Sequence, residues 1–154
     1  IKYQNKTKGE VKMKKKLMFV ASLVLLLSSV SFAATPFKLS LVGPIAVPTT
    51  KDVTGLAIGL IGSNVNTLKG VQFSWIYSVA ENGVGVQGSG IYNKVVGEFT
   101  GLQWAFINIA GSMKGLQFGF YNKVGSMAGI QLGLININPK SSLTTFFPFI
   151  NFQF

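Results

Sequence analysis

Cysteine, histidine and arginine are absent from the 154 residues, and only Glu10, Asp52, Glu81 and Glu98 are acidic. Without Cys or His there is no thiol nucleophile, no disulfide framework and none of the usual zinc donor sets. The commonest general base is missing too, so no serine has a histidine to activate it. Four scattered carboxylates leave little for paired-carboxylate chemistry. The composition points away from an enzyme, and no catalytic, cofactor-binding or metal-binding residue is assigned.

What is present is lysine, 14 in all, giving a formal charge of +10. Half of them (Lys2, Lys6, Lys8, Lys12, Lys14, Lys15, Lys16) lie in the first 16 residues. An apolar run, LMFVASLVLLLSSV, follows over 17–30, and then Ser31-Phe32-Ala33-Ala34. A basic start, an apolar middle and small residues at the end form a secretory signal peptide, with cleavage expected after Ala33. The competing reading is a retained N-terminal anchor. Met13-Lys14-Lys15-Lys16 makes a natural start for the signal over 13–33. Just upstream, Lys8-Gly9-Glu10 would be encoded by a purine-rich AAA-GGA-GAA, like a ribosome-binding site. Residues 1–12 are therefore expected to be translated leader sequence.

The exported chain would be 34–154, with seven lysines against Asp52, Glu81 and Glu98, a net charge of +4. That modest excess excludes a strongly basic nucleic-acid-binding surface. Export without cysteines fits a bacterial envelope or secreted location.

Residues 34–154 also hold 17 of the 18 glycines, and these mark a repeat. Aligned on glycine, six units follow one another: Gly55 GLAIGLIG, Gly70 GVQFSWIY, Gly85 GVQGSGIY, Gly101 GLQWAFIN, Gly115 GLQFGFYN and Gly129 GIQLGLIN. Their starts lie 15, 15, 16, 14 and 14 residues apart. Between them stand short polar or glycine-containing stretches such as Ala80-Glu81-Asn82-Gly83, Gly111-Ser112-Met113-Lys114 and Gly125-Ser126-Met127-Ala128. Strand plus tight turn is the expectation.

Strand side chains alternate between faces. Positions two, four and six are large and apolar, for example Val71/Phe73/Trp75 and Leu102/Trp104/Phe106; Val86/Gly88/Gly90 is the exception. On the other face, position three is Gln72, Gln87, Gln103, Gln117 or Gln131, with Ala57 in the first unit. Position five is always small. Two further strands, Phe37–Val47 and Leu143–Phe154, bring the expected count to eight.

None of the 48 residues in the six units is charged. A soluble sheet normally carries charge on its solvent face, and an uncharged strand invites aggregation. The pattern therefore predicts an all-β protein, an eight-stranded antiparallel meander closed as a small transmembrane β-barrel. Its large apolar face would meet outer-membrane lipid, and its Gln and small residues would fill the lumen. Phe154, Phe152, Ile150 and Phe146 alternate back from the C-terminus, which resembles the signature that barrel-assembly machinery reads on bacterial outer-membrane barrels. Pro148 predicts a bulge or sheet edge there. Tyr77, Tyr92 and Tyr121 would be bilayer-interface anchors or ordinary sheet packing.

The alternative is a β-solenoid of 14–16-residue repeats, which would stack identical residues in ladders. Gln117-Gly119-Asn122 and Gln131-Gly133-Asn136 resemble the curlin repeat of bacterial amyloid fibres, although the second Gln-bearing strand of that repeat is missing. Over nearly all of 34–154 the chain is also similar to a bacterial surface-repeat family with GLQ-x-G-L-x-N units. That resemblance implies an outer-membrane or surface location and no assigned activity. The expected role is structural or surface-interacting, without catalysis, with self-association or contact to a host or matrix surface as possible partnerships. The alternative role is a secreted solenoid or curli-like fibre subunit in adhesion or matrix. Gly83-Val84-Gly85-Val86-Gln87-Gly88 matches a dinucleotide-binding motif in letters only, since a strand rather than a helix is expected to follow it. Asp52, Glu81 and Glu98 are expected to be solvated turn residues.

Overall fold

In a computed structural model of the chain, residues 10–15, 18 and 34–154 are described. Residues 10–15 and 18 are helical. The rest of the expected leader (1–12) and signal peptide (13–33) lies outside the described residues. Among the described residues no helix is long and apolar enough to cross a membrane. Contacts divide the chain into two units, Ile1–Ser31 and Phe32–Phe154.

The second unit is all β. Its strands are β1 (Thr35–Val42), β2 (Ile45–Val47), β3 (Val53–Gly59), β4 (Gly62–Ser74), β5 (Tyr77–Ser89), β6 (Tyr92–Trp104), β7 (Ile107–Phe118), β8 (Tyr121–Ile137) and β9 (Phe146–Gln153). They form one sheet in the order β2-β1-β3-β4-β5-β6-β7-β8-β9, with β2 and β9 at its two edges. From β1 and β3 through to β8 every pairing is parallel, and like residues lie side by side: Gly70 beside Gly85, Gln72 beside Gln87, Gln103 beside Gln117. Only β2 on β1 and β9 on β8 are antiparallel.

This is a β-solenoid, and it overturns the antiparallel barrel. The all-β class and the repeat stand; the closure and the strand direction do not. Parallel neighbours need a crossover of about a dozen residues. The eight-residue units are expected to be whole strands joined by turns, but each spans the second half of one rung, the turn after it and the start of the next rung. The stretches taken as turns, 80–83, 111–114 and 125–128, lie within β5, β7 and β8. They belong to a first half-rung that carries the chain back and so serves as the crossover. The expected first strand over 37–47 is two, β1 and β2, turning at Gly43. The expected last strand from 143 begins at Phe146.

The repeat glycine marks the corner between the two half-rungs. Gly55, Gly70, Gly85, Gly101, Gly115 and Gly129 have φ between 130° and 149°, a region closed to most L-residues. At Gly101 a Cβ would stand 1.9 Å from the carbonyl oxygen of Gly85 on the rung before, and the same contact recurs down the column.

The uneven spacing of the repeats also has a structural cause. From the Gln column to the next Ser/Asn column the step is six residues at 57–63, 72–78 and 87–93, but five at 103–108, 117–122 and 131–136. Between the Val/Ala and Leu/Phe/Met columns the step is three residues, except from Val95 to Phe99, where it is four and the register shifts. A rung of 14 residues is thus the basic unit, one extra turn residue gives 15, and the rung with both additions has 16.

The interior is narrow. Its apolar core is Val53, Ala57, Val65, Leu68, Ala80, Val95, Phe99, Ala110, Met113, Val124 and Met127. Both ends of the stack are finished by antiparallel strands, and Pro148 in β9 lies opposite the place where β8 slips register between Gly133 and Asn136.

Candidate functional site

Two columns of buried amides line the interior, one on each half-rung, with Gln from β4 to β8 and Asn from β6 to β8. On the second half-rung Gln72, Gln87, Gln103, Gln117 and Gln131 are fully buried. Each donates from Nε2 to Oε1 of the Gln before it: Gln87 to Gln72 at 3.0 Å, Gln103 to Gln87 at 2.8 Å, Gln117 to Gln103 at 2.7 Å and Gln131 to Gln117 at 2.9 Å. On the first half-rung Asn93, Asn108, Asn122 and Asn136 form a second ladder, each Nδ2 donating to Oδ1 of the Asn after it at 2.9–3.0 Å. The two ladders point in opposite directions, so their amide dipoles oppose one another. One carbonyl oxygen is left unpaired in each: Gln131 Oε1 and Asn93 Oδ1.

The amides also tie the half-rungs together. Gln87 Nε2 reaches the carbonyl of Ser78, and Asn93 Nδ2 reaches the carbonyls of Gln87 and Trp104. A buried amide without partners would be costly, so these bonds are what make a polar interior tolerable. The Gln ladder could be read from the repeat. The Asn ladder was seen only in Asn122 and Asn136: Asn108 holds the same eighth place but follows Ala105 rather than a glycine, and Asn93 stands one place later because its turn is one residue longer. Its signal is the alternation Ser78-Val79-Ala80, Asn93-Lys94-Val95, Asn108-Ile109-Ala110, Asn122-Lys123-Val124.

The Gln column begins in a residue that sequence reasoning passed over. Lys38 on β1 aligns with Ala57 and so with Gln72, and it is buried. Its Nζ donates to the carbonyls of Thr50 and Asn64, both at 2.9 Å. Burial, reinforced by the nearby Lys51 charge and opposed by Asp52, pulls its pKa below the ordinary lysine value. Asp52 is not a free turn acid: its carboxylate accepts from the Thr67 amide at 3.1 Å. Glu81 and Glu98 are exposed.

The outer faces of the two half-rungs differ. On the first, Asn64, Val79, Lys94, Ile109 and Lys123 stand in register, with both lysines exposed. On the second, the outward column at position four is Ile58, Phe73, Gly88, Trp104, Phe118, Leu132 and then Ile150 of β9. Phe37, Leu39 and Leu41 extend this face over β1 and are exposed. Phe106 and Phe120 stack at 4.7 Å with planes 6° apart, and Phe73 meets Trp75 edge-on at 6.4 Å. The Gly88 gap is closed from both sides: a Cβ there would lie 3.2 Å from the Phe73 ring and 3.7 Å from Trp104. The apolar stripe is therefore continuous. The expected division of large apolar from Gln and small residues is seen, but the apolar side is an open face and the Gln side is a solid interior.

Tyr77, Tyr92 and Tyr121 stack in one column with Ile107 at the rung starts and are half-buried. Gly83 to Gly88 lies inside β5, with β6 next in the chain, so no helix follows the motif. Phe154 and Phe152 sit 5.9 Å apart at the end of the capping strand, which pairs with β8 and with no first strand. The terminal alternation thus belongs to a strand paired with β8 alone and not to one that closes a barrel.

Fold and faces together define a capped parallel β-solenoid with amide ladders inside and one uncharged aromatic side. Compared with protein-family models, curated proteins and solved structures, the chain matches none.

Proposed function

We propose that the protein is an exported structural β-solenoid that acts in adhesion or matrix at a bacterial surface, without catalysis. The observation that carries this reading is the uncharged aromatic face of the second half-rungs. A continuous apolar surface of this kind on a soluble fold marks an interaction site. Export is supported by the basic, apolar and small-residue segments of 13–33. Similarity to GLQ-x-G-L-x-N surface repeats adds to it.

The amide ladders favour likeness to curli-type cross-β structure, in which Gln and Asn side chains bond along the stack. The ends argue against growth by end-to-end stacking. β2 and β9 cap the parallel rungs with antiparallel strands, and proline and non-identical residues interrupt the register there. Association through the side of the solenoid fits these ends better.

Fractionation of cells expressing the chain, followed by N-terminal sequencing, tests the export reading. A processed chain beginning at Ala34 in the envelope or medium is expected. A full-length cytoplasmic product would contradict it.

A further inference from the structure

We infer that the aromatic face is covered by the same face of a second copy, in a two-fold, reversed packing. This names the partner for the surface on which the structural reading rests.

Size is the first argument. Eight outward rows, from β1 and β3 to β9, spaced ~4.8 Å apart, span ~34 Å. Positions two to six cover ~15 Å along the strands, so pairing two faces removes roughly 1,000 Å² from water, the lower end of what a specific dimer needs.

Relief is the second. Position six forms a raised edge: Leu60, Trp75, Phe106, Phe120 and Leu134 are 57%, 68%, 53%, 42% and 44% exposed. From β3 to β8 position two is aliphatic and lower, Leu56, Val71, Val86, Leu102, Leu116 and Ile130 all being less exposed than these; aromatic Phe37 and Phe152 hold that column only on the end strands. A two-fold axis lying in the interface, parallel to the direction in which the rungs stack, turns one face onto the other and puts each copy's raised aromatic edge on the other's recessed aliphatic edge. Such an interface is isologous and closes on itself. All eight rows then overlap, each lying on the same row of the other copy. Val71 then faces Trp75 of the other copy, Leu102 faces Phe106 and Leu116 faces Phe120.

Charge is the third. No lysine lies on the face itself, and Lys94 and Lys123 point outward from the far side of each copy. The positive charges therefore stay solvated in the dimer. A fluid bilayer asks only for apolarity, whereas graded relief suits a rigid, identical partner.

Light scattering on the purified full-length chain should give twice 16.6 kDa. The Phe106→Lys/Phe120→Lys variant should be monomeric, and Lys94→Glu, on the opposite side, should remain dimeric. The chain has no native cysteine, so a mixture of Leu116→Cys and Phe120→Cys chains should oxidise to a mixed disulfide, while Leu116→Cys alone should not cross-link. A wild-type monomer, whether free or taken up by phospholipid vesicles, would overturn the inference. So would a Phe106→Lys/Phe120→Lys variant that stays dimeric, or Leu116→Cys chains that link to each other. None of these outcomes depends on whether the chain is exported.

Discussion

Gln117 donates from Nε2 to Oε1 of Gln103 at 2.7 Å, the shortest link of the buried Gln ladder. On the facing half-rung Asn108 donates the other way along the stack, to Asn122 at 2.9 Å. Opposed ladders let a narrow interior be polar without building a net dipole along the axis. They also make the cost of losing an amide depend on where it stands.

Replacing Gln103 by Leu removes the donor to Gln87 Oε1 and the acceptor of Gln117 Nε2. Two buried groups lose their ladder partner, a loss of about 3 kcal/mol. Gln131→Leu strands Gln117 Oε1 and takes a longer, 3.3 Å bond from the Ile137 carbonyl, but it removes an oxygen already unpaired, so it should cost less than Gln103→Leu. Urea titration of both variants checks the order.

The corner glycines should tolerate nothing larger. Gly101→Ala places a Cβ against the Gly85 carbonyl at φ 134° and should destabilise by about 3 kcal/mol or more. Gly88→Ala meets only a ring edge, at 3.2 Å, and should change stability by less than about 1 kcal/mol. Thermal melts of the pair separate corner from face.

Lys38 gives the fold a pH dependence whose sign is fixed by its lowered pKa. Below the folded value the ammonium is present in both states, and its burial counts against folding. Above the unfolded value of about 10.4 both states are neutral and that cost is gone. Stability should therefore rise as pH climbs from the folded value to about 10.4, and fall as pH drops back through it. Chemical denaturation across this window should show the rise in the wild type and lose it in Lys38→Met.

Much of this architecture could be read from the repeat, and the missing part has a clear physical source. Alternation along 102–106 or 116–120 correctly divided inward Gln and small residues from outward Leu, Trp and Phe. Strand direction was not recoverable that way, because a period of two looks the same in parallel and antiparallel sheets. The decisive residues lay in the segments taken for turns. Met113 stands between Ser112 and Lys114 and looks like part of a polar loop, yet it is fully buried in the Leu68/Phe99/Met127 column. Met113→Ala should cost about 3 kcal/mol by leaving a cavity, and Lys114→Ala, at an exposed site, should be near neutral in the same melt. Lys38 was also hidden, because its row precedes the first glycine-aligned unit.

Parallel, in-register rungs are the core of this account, and one pair of cross-links tests them. Leu102 and Leu116 are neighbours across β6 and β7, within the reach of a disulfide between adjacent strands. A meander turning at 111–114 would instead bring Leu102 opposite Lys123. Oxidation should close the disulfide in Leu102→Cys/Leu116→Cys and leave Leu102→Cys/Lys123→Cys as free thiols. A link in the second variant and none in the first would contradict the solenoid.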